Sequence, residues 1–401
     1  MGENRESAKA RTTLVHAGRK LDCGGGRAVN PPIVRASTIL FEDVDKLLEV
    51  HSRRLDPTFV SYGRNGTETA ISLEQAFAAL EGGDGCVAVG SGLAAITVAL
   101  LSEVKSGDHV LVSDSVYAPT RKLCDGLLRR FGVETTYYDP CIAGDIAELI
   151  RPNTRVIFLE SPGSLTFEIQ DVPAITEVAR ARGVTTIIDN TWATPLFFQP
   201  LAHGVDISLH AGTKYVVGHS DAMLGLLVAN GEKHEALRLQ AQEIGHGIGP
   251  DDAWLGLRGL RTLAVRLAQH QDNALQIAEW LAERPEVARV LHPALPDHPG
   301  HEIWKRDFLG ASGLFGVELQ PVSGAAVAEM LNGLEYFGLG YSWGGYESLA
   351  IPTFPQKFRT ACPWEAKGPM LRLHIGLEEP SDLIADLEAG FERLRRKAQA
   401  E

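Results

Sequence analysis

From Ser72 to Val228, short unbroken apolar runs recur between helix-length stretches, and this alternation constrains the fold more than any other feature of the chain. The runs are Cys86-Val87-Ala88-Val89, His109 to Val112, Val156 to Leu159, Thr186 to Ile188, Ile207 to Leu209 and Met223 to Val228. The stretches between them predict helices over 73–80, 93–104, 120–131 and 174–182. Strands without polar alternation are buried on both faces, so the pattern predicts a parallel or mostly parallel sheet with helices on either side. A long helical stretch over 252–283 then leads into another rhythm. Strands are predicted over 287–290, 314–318, 348–351 and 371–375, with helices near 325–334 and 381–395, as in a smaller α+β domain. The first 60 residues carry breakers, Gly24-Gly25-Gly26 and Pro31-Pro32, and read as an extended arm with one short helix near 44–51. The expectation is an α/β chain in three parts: an N-terminal arm (1–60), a large domain (61–260) and a small C-terminal domain (261–401).

Composition narrows the partners. The net charge of −13 argues against nucleic acid or an anionic membrane as the main partner. Arg395-Arg396-Lys397 reads as a solvated helix end. The longest apolar stretch, 87–101, is too short for a membrane span and is interrupted by Gly90, Ser91 and Gly92. The N-terminus has no apolar segment of secretory type. Five scattered cysteines, Cys23, Cys86, Cys124, Cys141 and Cys362, include no C-x-x-C pair. Neither a metal site nor a disulfide framework is expected, and reduced thiols in the cytoplasm are.

The chemistry is carried by Lys214 and Asp189. Each follows a buried apolar run, so each is expected at the end of a strand. A lysine and a carboxylate so placed are what pyridoxal phosphate needs: an amine to hold the cofactor covalently, and a negative charge to keep the pyridine nitrogen protonated. Apolar neighbours, Ile207-Ser208-Leu209 before and Tyr215-Val216-Val217 after, would desolvate Lys214 and favour its neutral, nucleophilic form. Gly90-Ser91-Gly92-Leu93 lies between a strand and a helix, where small residues let Gly92 and Leu93 amides approach a phosphate at the helix N-terminus. A dinucleotide site is the local rival. Ala95 stands at the third position of the relaxed glycine fingerprint, and Asp114 could serve as the ribose acid. Lys214 and Asp189 favour pyridoxal phosphate, with Thr213 offering a hydroxyl to its phosphate.

Asp189-Asn190-Thr191-Trp192 with Thr213-Lys214-Tyr215 resembles the cystathionine/methionine-metabolism family of pyridoxal-phosphate enzymes, over nearly the whole chain. The resemblance implies the aspartate aminotransferase-like fold type I. Tyr62-Gly63-Arg64 is similar to an arm motif whose Tyr62 and Arg64 would reach the phosphate of a neighbouring subunit, implying a homotetramer built as a dimer of dimers with shared active sites. Tyr117 matches the tyrosine that stacks on the cofactor ring, and Arg372 the arginine that binds the substrate α-carboxylate. Tyr341-Ser342-Trp343-Gly344-Gly345-Tyr346, Glu160-Ser161-Pro162-Gly163-Ser164 and His219-Ser220-Asp221-Ala222-Met223 are similar to the β-lyase subgroup. The implied activity is β-elimination from an amino-acid thioether, L-cystathionine, with Lys214, Tyr117 and Tyr62 as catalytic groups and Arg372, Ser342 and Trp343 on the substrate. Lyases of broader cysteine-S-conjugate specificity, γ-lyases and γ-synthases stay open, and a non-catalytic regulator is the reading from another class. Two residues depart from the family pattern: Ala211, where a serine is usual, and Asn65, where some β-lyases carry a second arginine.

Overall fold

The computed structural model describes residues 9–19, 28–53, 55, 56 and 58–401; Cys23 and the Gly24–Gly26 run of the expected arm lie outside them. The first sheet contains β1 (Gly85–Val89), β2 (His109–Ser113), β3 (Glu134–Tyr138), β4 (Thr154–Glu160), β5 (Thr185–Asp189), β6 (Ile207–His210) and β7 (Gly225–Ala229). Their spatial order is β1-β7-β6-β5-β4-β2-β3. Strands β2 to β6 pair in parallel, whereas β7 runs antiparallel to both β6 and β1. The mostly parallel sheet is therefore as the sequence predicts, with one reversed strand that an apolar run cannot announce.

Side chains of successive residues enter opposite cores. Val110, Val112, Val156 and Phe158 pack with Ala95, Ile96 and Val98 of the helix Gly92–Leu101. Leu111, Ile157, Leu159 and Ile188 pack with Ile175 and Ala179 of the helix Val172–Arg182 on the other face. Burial of a Val, Leu, Ile or Phe side chain contributes about 1.5–3 kcal/mol, so both faces demand apolar residues and the strands lose any alternation. Strand β3, absent from the expected set, is an edge strand of Glu, Thr and Tyr in which only Tyr138 is buried. The helix expected over 120–131 is a short α-helix, Ala118–Leu123, followed by a π-helical turn, Cys124–Leu128. A helix at Gly231–Glu243 also escapes the sequence reading, because it is polar and buries only Leu237, Arg238 and Ala241.

The second sheet holds β8 (Val287–Leu291), β9 (Leu314–Leu319), β10 (Leu349–Thr353) and β11 (Met370–His374), all antiparallel, in the order β10-β11-β9-β8. Met330, Leu331, Leu387 and Phe391 from the helices Gly324–Asn332 and Pro380–Gln399 fill its core. The 33-residue helix Pro250–Ala282 joins the two sheets. Ala253 to Leu267 pack in a core with Leu224 and Leu226, and Ala274 to Leu281 pack in the core of the second sheet.

The arm differs from the extended segment expected. Besides the helix Val44–Ser52, capped by the Asp43 side chain, residues Ala10–His16 form a helix with Leu14 buried. Arg261 fastens that helix by donating to the carbonyls of Leu14 and Ala17, at 2.5 and 2.8 Å. A seven-residue helix with one buried side chain leaves no periodicity for the sequence to display.

Candidate active site

The parallel strands place their carboxyl ends at one edge of the sheet, the usual position for a site in such folds. Glu160 is the register partner of Asp189, and Asp189 that of Leu209. Residues that follow β2, β4, β5 and β6 thus line a cleft of about 760 Å³, closed on the other side by residues of the second sheet.

Asp189 ends β5. Its Oδ1 accepts from the amide and hydroxyl of Thr191, at 3.0 and 2.5 Å, and the Thr191 hydroxyl oxygen accepts the Ala211 amide at 2.8 Å. That chain ties the ends of β5 and β6 together. Burial pushes the Asp189 carboxyl above its ordinary range, while the Thr191 hydrogen bonds and the charges of His210 and Lys214 pull it down. Among the described residues no donor reaches Oδ2, and no cation forms an ion pair with Asp189.

Lys214 sits in the turn after β6, which is held by hydrogen bonds from its amide to Ala211 O and from the Gly218 amide to its own carbonyl. From behind, buried Arg266 donates to Tyr215 O at 2.9 Å and to Gly259 O at 2.8 Å. The ammonium donates to Ser342 Oγ at 2.6 Å and lies 5.4 Å from the Trp343 ring centroid. Burial, with repulsion from Arg372 and a partial offset from Asp189, pushes the Lys214 amine down to about 8.

One end of the cleft is a helix N-terminus. Ser91 caps the helix Gly92–Leu101 by accepting the Ala94 amide, and the Gly92 and Leu93 amides of the first turn have no partner within the helix. A Cβ on Gly92 would stand 2.5 Å from Ala211 Cβ, so glycine is required for the backbones to meet. Ala211 is thus in contact with the helix start where the family pattern has a serine. Thr213 lines the cleft, but its hydroxyl hydrogen-bonds the Leu224 amide and carbonyl, at 2.9 and 3.2 Å.

The opposite wall comes from the second sheet. Arg372 on β11 donates to the Ser342 carbonyl at 2.9 Å, and burial brings its guanidinium down to about 10. Ser342 has φ +83°, a left-handed conformation costly for serine. Gly344 has the same φ, and a Cβ there would lie 2.9 Å from the backbone of Lys214 and Tyr215. Buried His374 Nε2 accepts the Gly344 amide at 3.1 Å, and Trp343 packs edge-on against Tyr215, 5.5 Å between centroids. Tyr117, before the helix Ala118–Leu123, presents a part-exposed ring to the cleft, and its amide donates to Glu160 Oε2 at 2.8 Å. Burial, then Glu160 and Asp189, push its phenol up, opposed by Arg372.

Lys214, Asp189, Tyr117, Thr213, Gly92, Leu93, Arg372, Ser342 and Trp343 therefore share one cleft. Tyr62 and Arg64 do not line it. Tyr62 bridges to Thr38 with an exposed ring, and Arg64 lines a separate small pocket with Arg238 and Gly247. Three further groups of the site have no role assigned in the sequence reading, although Glu160 belongs to one of its motifs. Glu160, part-buried and pushed well up by desolvation and by Asp189, carries the same strand-end signal as Asp189. Arg266 and His374, which fix the turns around Lys214 and Trp343, carry no local signal.

The residues fit pyridoxal phosphate. A part-buried carboxylate with no ion pair among the described residues suits a protonated pyridine nitrogen, a desolvated lysine suits an aldehyde, and a glycine-bared helix N-terminus suits a phosphate.

Residues 11–392 match the family described as Cys/Met metabolism PLP-dependent enzyme, PLP being pyridoxal phosphate. The chain is 46% identical over 394 residues to the cystathionine β-lyase of Escherichia coli (strain K12), which covers 96% of this chain and 99% of that one. It is 44% identical over 389 residues to the cystathionine β-lyase of Haemophilus influenzae, covering 96% and 98%. Among solved structures, the cystathionine γ-synthase of Xanthomonas oryzae in complex with cystathionine has a TM-score of 0.88 at 34% identity, covering 97% of this chain and 99% of that one.

Proposed function

The chain belongs to the Cys/Met metabolism family of PLP-dependent enzymes, and from that membership we propose that it is a carbon–sulfur β-lyase cleaving L-cystathionine to homocysteine, pyruvate and ammonia, a step towards methionine. The observation that carries this reading is the convergence of Lys214, Asp189 and Arg372 on one cleft, in a chain 46% identical to a cystathionine β-lyase. Pyridoxal phosphate, when bound, supplies a sink for the electron pair left at Cα.

The protein's own groups bind, orient and move protons. Arg372 grips the α-carboxylate, since a guanidinium matches a carboxylate in shape and charge; the Ser342 carbonyl uses one of its donors and holds the others in place. Lys214, brought down to about 8, is partly neutral near neutral pH and takes the proton from Cα. The thiolate then leaves from Cβ and receives a proton from Lys214, with Tyr117 as the second donor, its phenol being kept protonated by burial and neighbouring carboxylates. Asp189, oriented by Thr191, would hold the pyridine nitrogen in its protonated form. Trp343 and Tyr117 line the cleft and would restrict how the substrate is oriented there, which is what selects elimination from other reactions at Cα.

The active assembly is a homotetramer, a dimer of dimers, in which Tyr62 and Arg64 complete the cleft of a neighbour. In support, neither residue lines its own cleft, and Leu40, Val44, Leu47 and Leu48 of the N-terminal arm are exposed. The enzyme works in the cytoplasm, in keeping with the unpaired thiols of Cys86, Cys124, Cys141 and Cys362. No helix among the described residues is long and apolar enough to cross a membrane. The test is to incubate the holoenzyme with L-cystathionine and identify the keto acid. Pyruvate with homocysteine is expected; 2-oxobutyrate with cysteine would make it a γ-lyase.

A further inference from the structure

Beyond Lys214 the cleft runs along β10 and the segment that follows it, where Ile351, Phe354, Phe358 and Arg359 line the wall. Three of these are apolar and the fourth is a guanidinium. Only 3% of the Arg359 side chain is exposed. Its Nη2 donates to Glu168 Oε1, while Nε and Nη1 have no partner, and neither has Glu168 Oε2. A buried guanidinium that leaves most of its donors unused is destabilising unless something else takes them up.

A purely structural role does not account for it. The segment beside Arg359 is already anchored, because the buried carboxylate of Asp114 accepts the amides of Thr360, Ala361 and Cys362 at 2.8–3.1 Å and pairs with Arg121. Four cations line the cleft: Lys122, Lys214, Arg359 and Arg372. Lys214 and Arg372 serve the reacting end of the substrate, and Lys122 is exposed to solvent. Among the described residues, Arg359 is thus the one buried cation of the cleft without a task.

We propose that Arg359 binds the carboxylate at the far end of the substrate, so that this enzyme selects thioethers carrying a second amino-acid end. The inference rests on the lyase reading above. The apolar stem of such a thioether lies along Ile351, Phe354 and Phe358, and its terminal carboxylate accepts the N–H groups that have no partner. Glu168 orients the guanidinium as a positioning residue.

The test compares two substrates of the holoenzyme, L-cystathionine and S-propyl-L-cysteine, which keeps an apolar stem but has no second carboxylate. The readout is the ratio of their kcat/KM values for pyruvate release. Arg359→Met is expected to lower that ratio about 10- to 100-fold, through KM for cystathionine, as loss of a charge-assisted hydrogen bond implies. Arg359→Lys should recover part of it, and Lys122→Met should leave the ratio within about twofold, as for a solvated surface charge. An unchanged ratio in Arg359→Met overturns the proposal, because a structural fault would slow both substrates alike, and so does a fall in the ratio caused by Lys122→Met. If the wild type releases pyruvate from neither substrate, the lyase reading itself fails and this inference with it.

Discussion

The two walls of the cleft are built on different plans. The wall that holds Asp189 and Lys214 is made by the ends of neighbouring parallel strands, where register fixes spacing: Glu160 beside Asp189, Asp189 beside Leu209. Its side chains are set by backbone geometry and by the short relay from Ala211 through Thr191 to Asp189. The facing wall, Ser342 to Gly344 with Arg372, is a loop with two positive-φ residues pinned to an antiparallel sheet by His374 and Arg372. A parallel sheet delivers a rigid cradle for a cofactor. An irregular loop can instead shape itself to a substrate, at the cost of backbone strain. On the proposed reading, one wall binds the cofactor and the other chooses the substrate, and each assignment can be broken separately.

The largest effect is expected at the single residue that works from both sides. Lys214→Ala removes the proton carrier, and pyruvate release from L-cystathionine should fall by at least about 10³-fold. A variant that turned over at the wild-type rate would remove Lys214 from the mechanism altogether.

Next come two glycines, one on each wall. Gly92→Ala drives a Cβ into Ala211 at the helix start. Pyridoxal phosphate binding should weaken about 10-fold or more, as expected when backbone donors to a phosphate are displaced. Gly344→Ala combines φ +83° with a close approach to Lys214 and Tyr215. The loop should yield, since the Lys214 turn is clamped by Arg266. KM for L-cystathionine should then rise about 10-fold, with about 1–2 kcal/mol lost from stability. Cofactor titration and steady-state kinetics on both variants separate the walls. A Gly344→Ala protein that loses its cofactor while keeping KM would dissolve the division.

The same contrast decides what can be read in the chain. The cradle is legible because every residue of it follows an apolar run, and the run announces both the strand and its end. Glu160 ends its run as Asp189 does, so the same local signal marks both carboxylates. On the other wall, Arg372, Ser342 and Trp343 entered through resemblance alone, since nothing in Leu371-Arg372-Leu373 says which cleft it will face. His374 and Arg266 act through contacts with residues 30 and 51 positions away, and Arg359 reaches Glu168 across 191. Such pairings are made by tertiary packing and leave no periodicity. The reversed direction of β7, the polar edge strand β3 and the helix Ala10–His16 escape the sequence for a related reason: an apolar pattern reports burial, never direction, and reports nothing where burial is slight.

The smallest effect expected is also the one that couples the walls, a shift in the titration of Lys214. Burial and Arg372 lower the amine to about 8, and Asp189 opposes them. The neutral form is the reactive one, so in the apoprotein the rate of Lys214 acetylation should rise with pH and level off above a midpoint near 8. A solvated lysine, near about 10.4, would show no plateau in that range. Arg372 remains charged there, its own guanidinium lying at about 10. Arg372→Leu removes a repelling charge, stabilises the ammonium and moves the midpoint up. Asp189→Asn removes an attracting charge and moves it down. Mass spectrometry of the peptide bearing Lys214 gives both midpoints. Opposite displacements would show the two walls acting on one amine, whereas a midpoint that ignores Arg372 would confine control of Lys214 to the parallel-sheet wall.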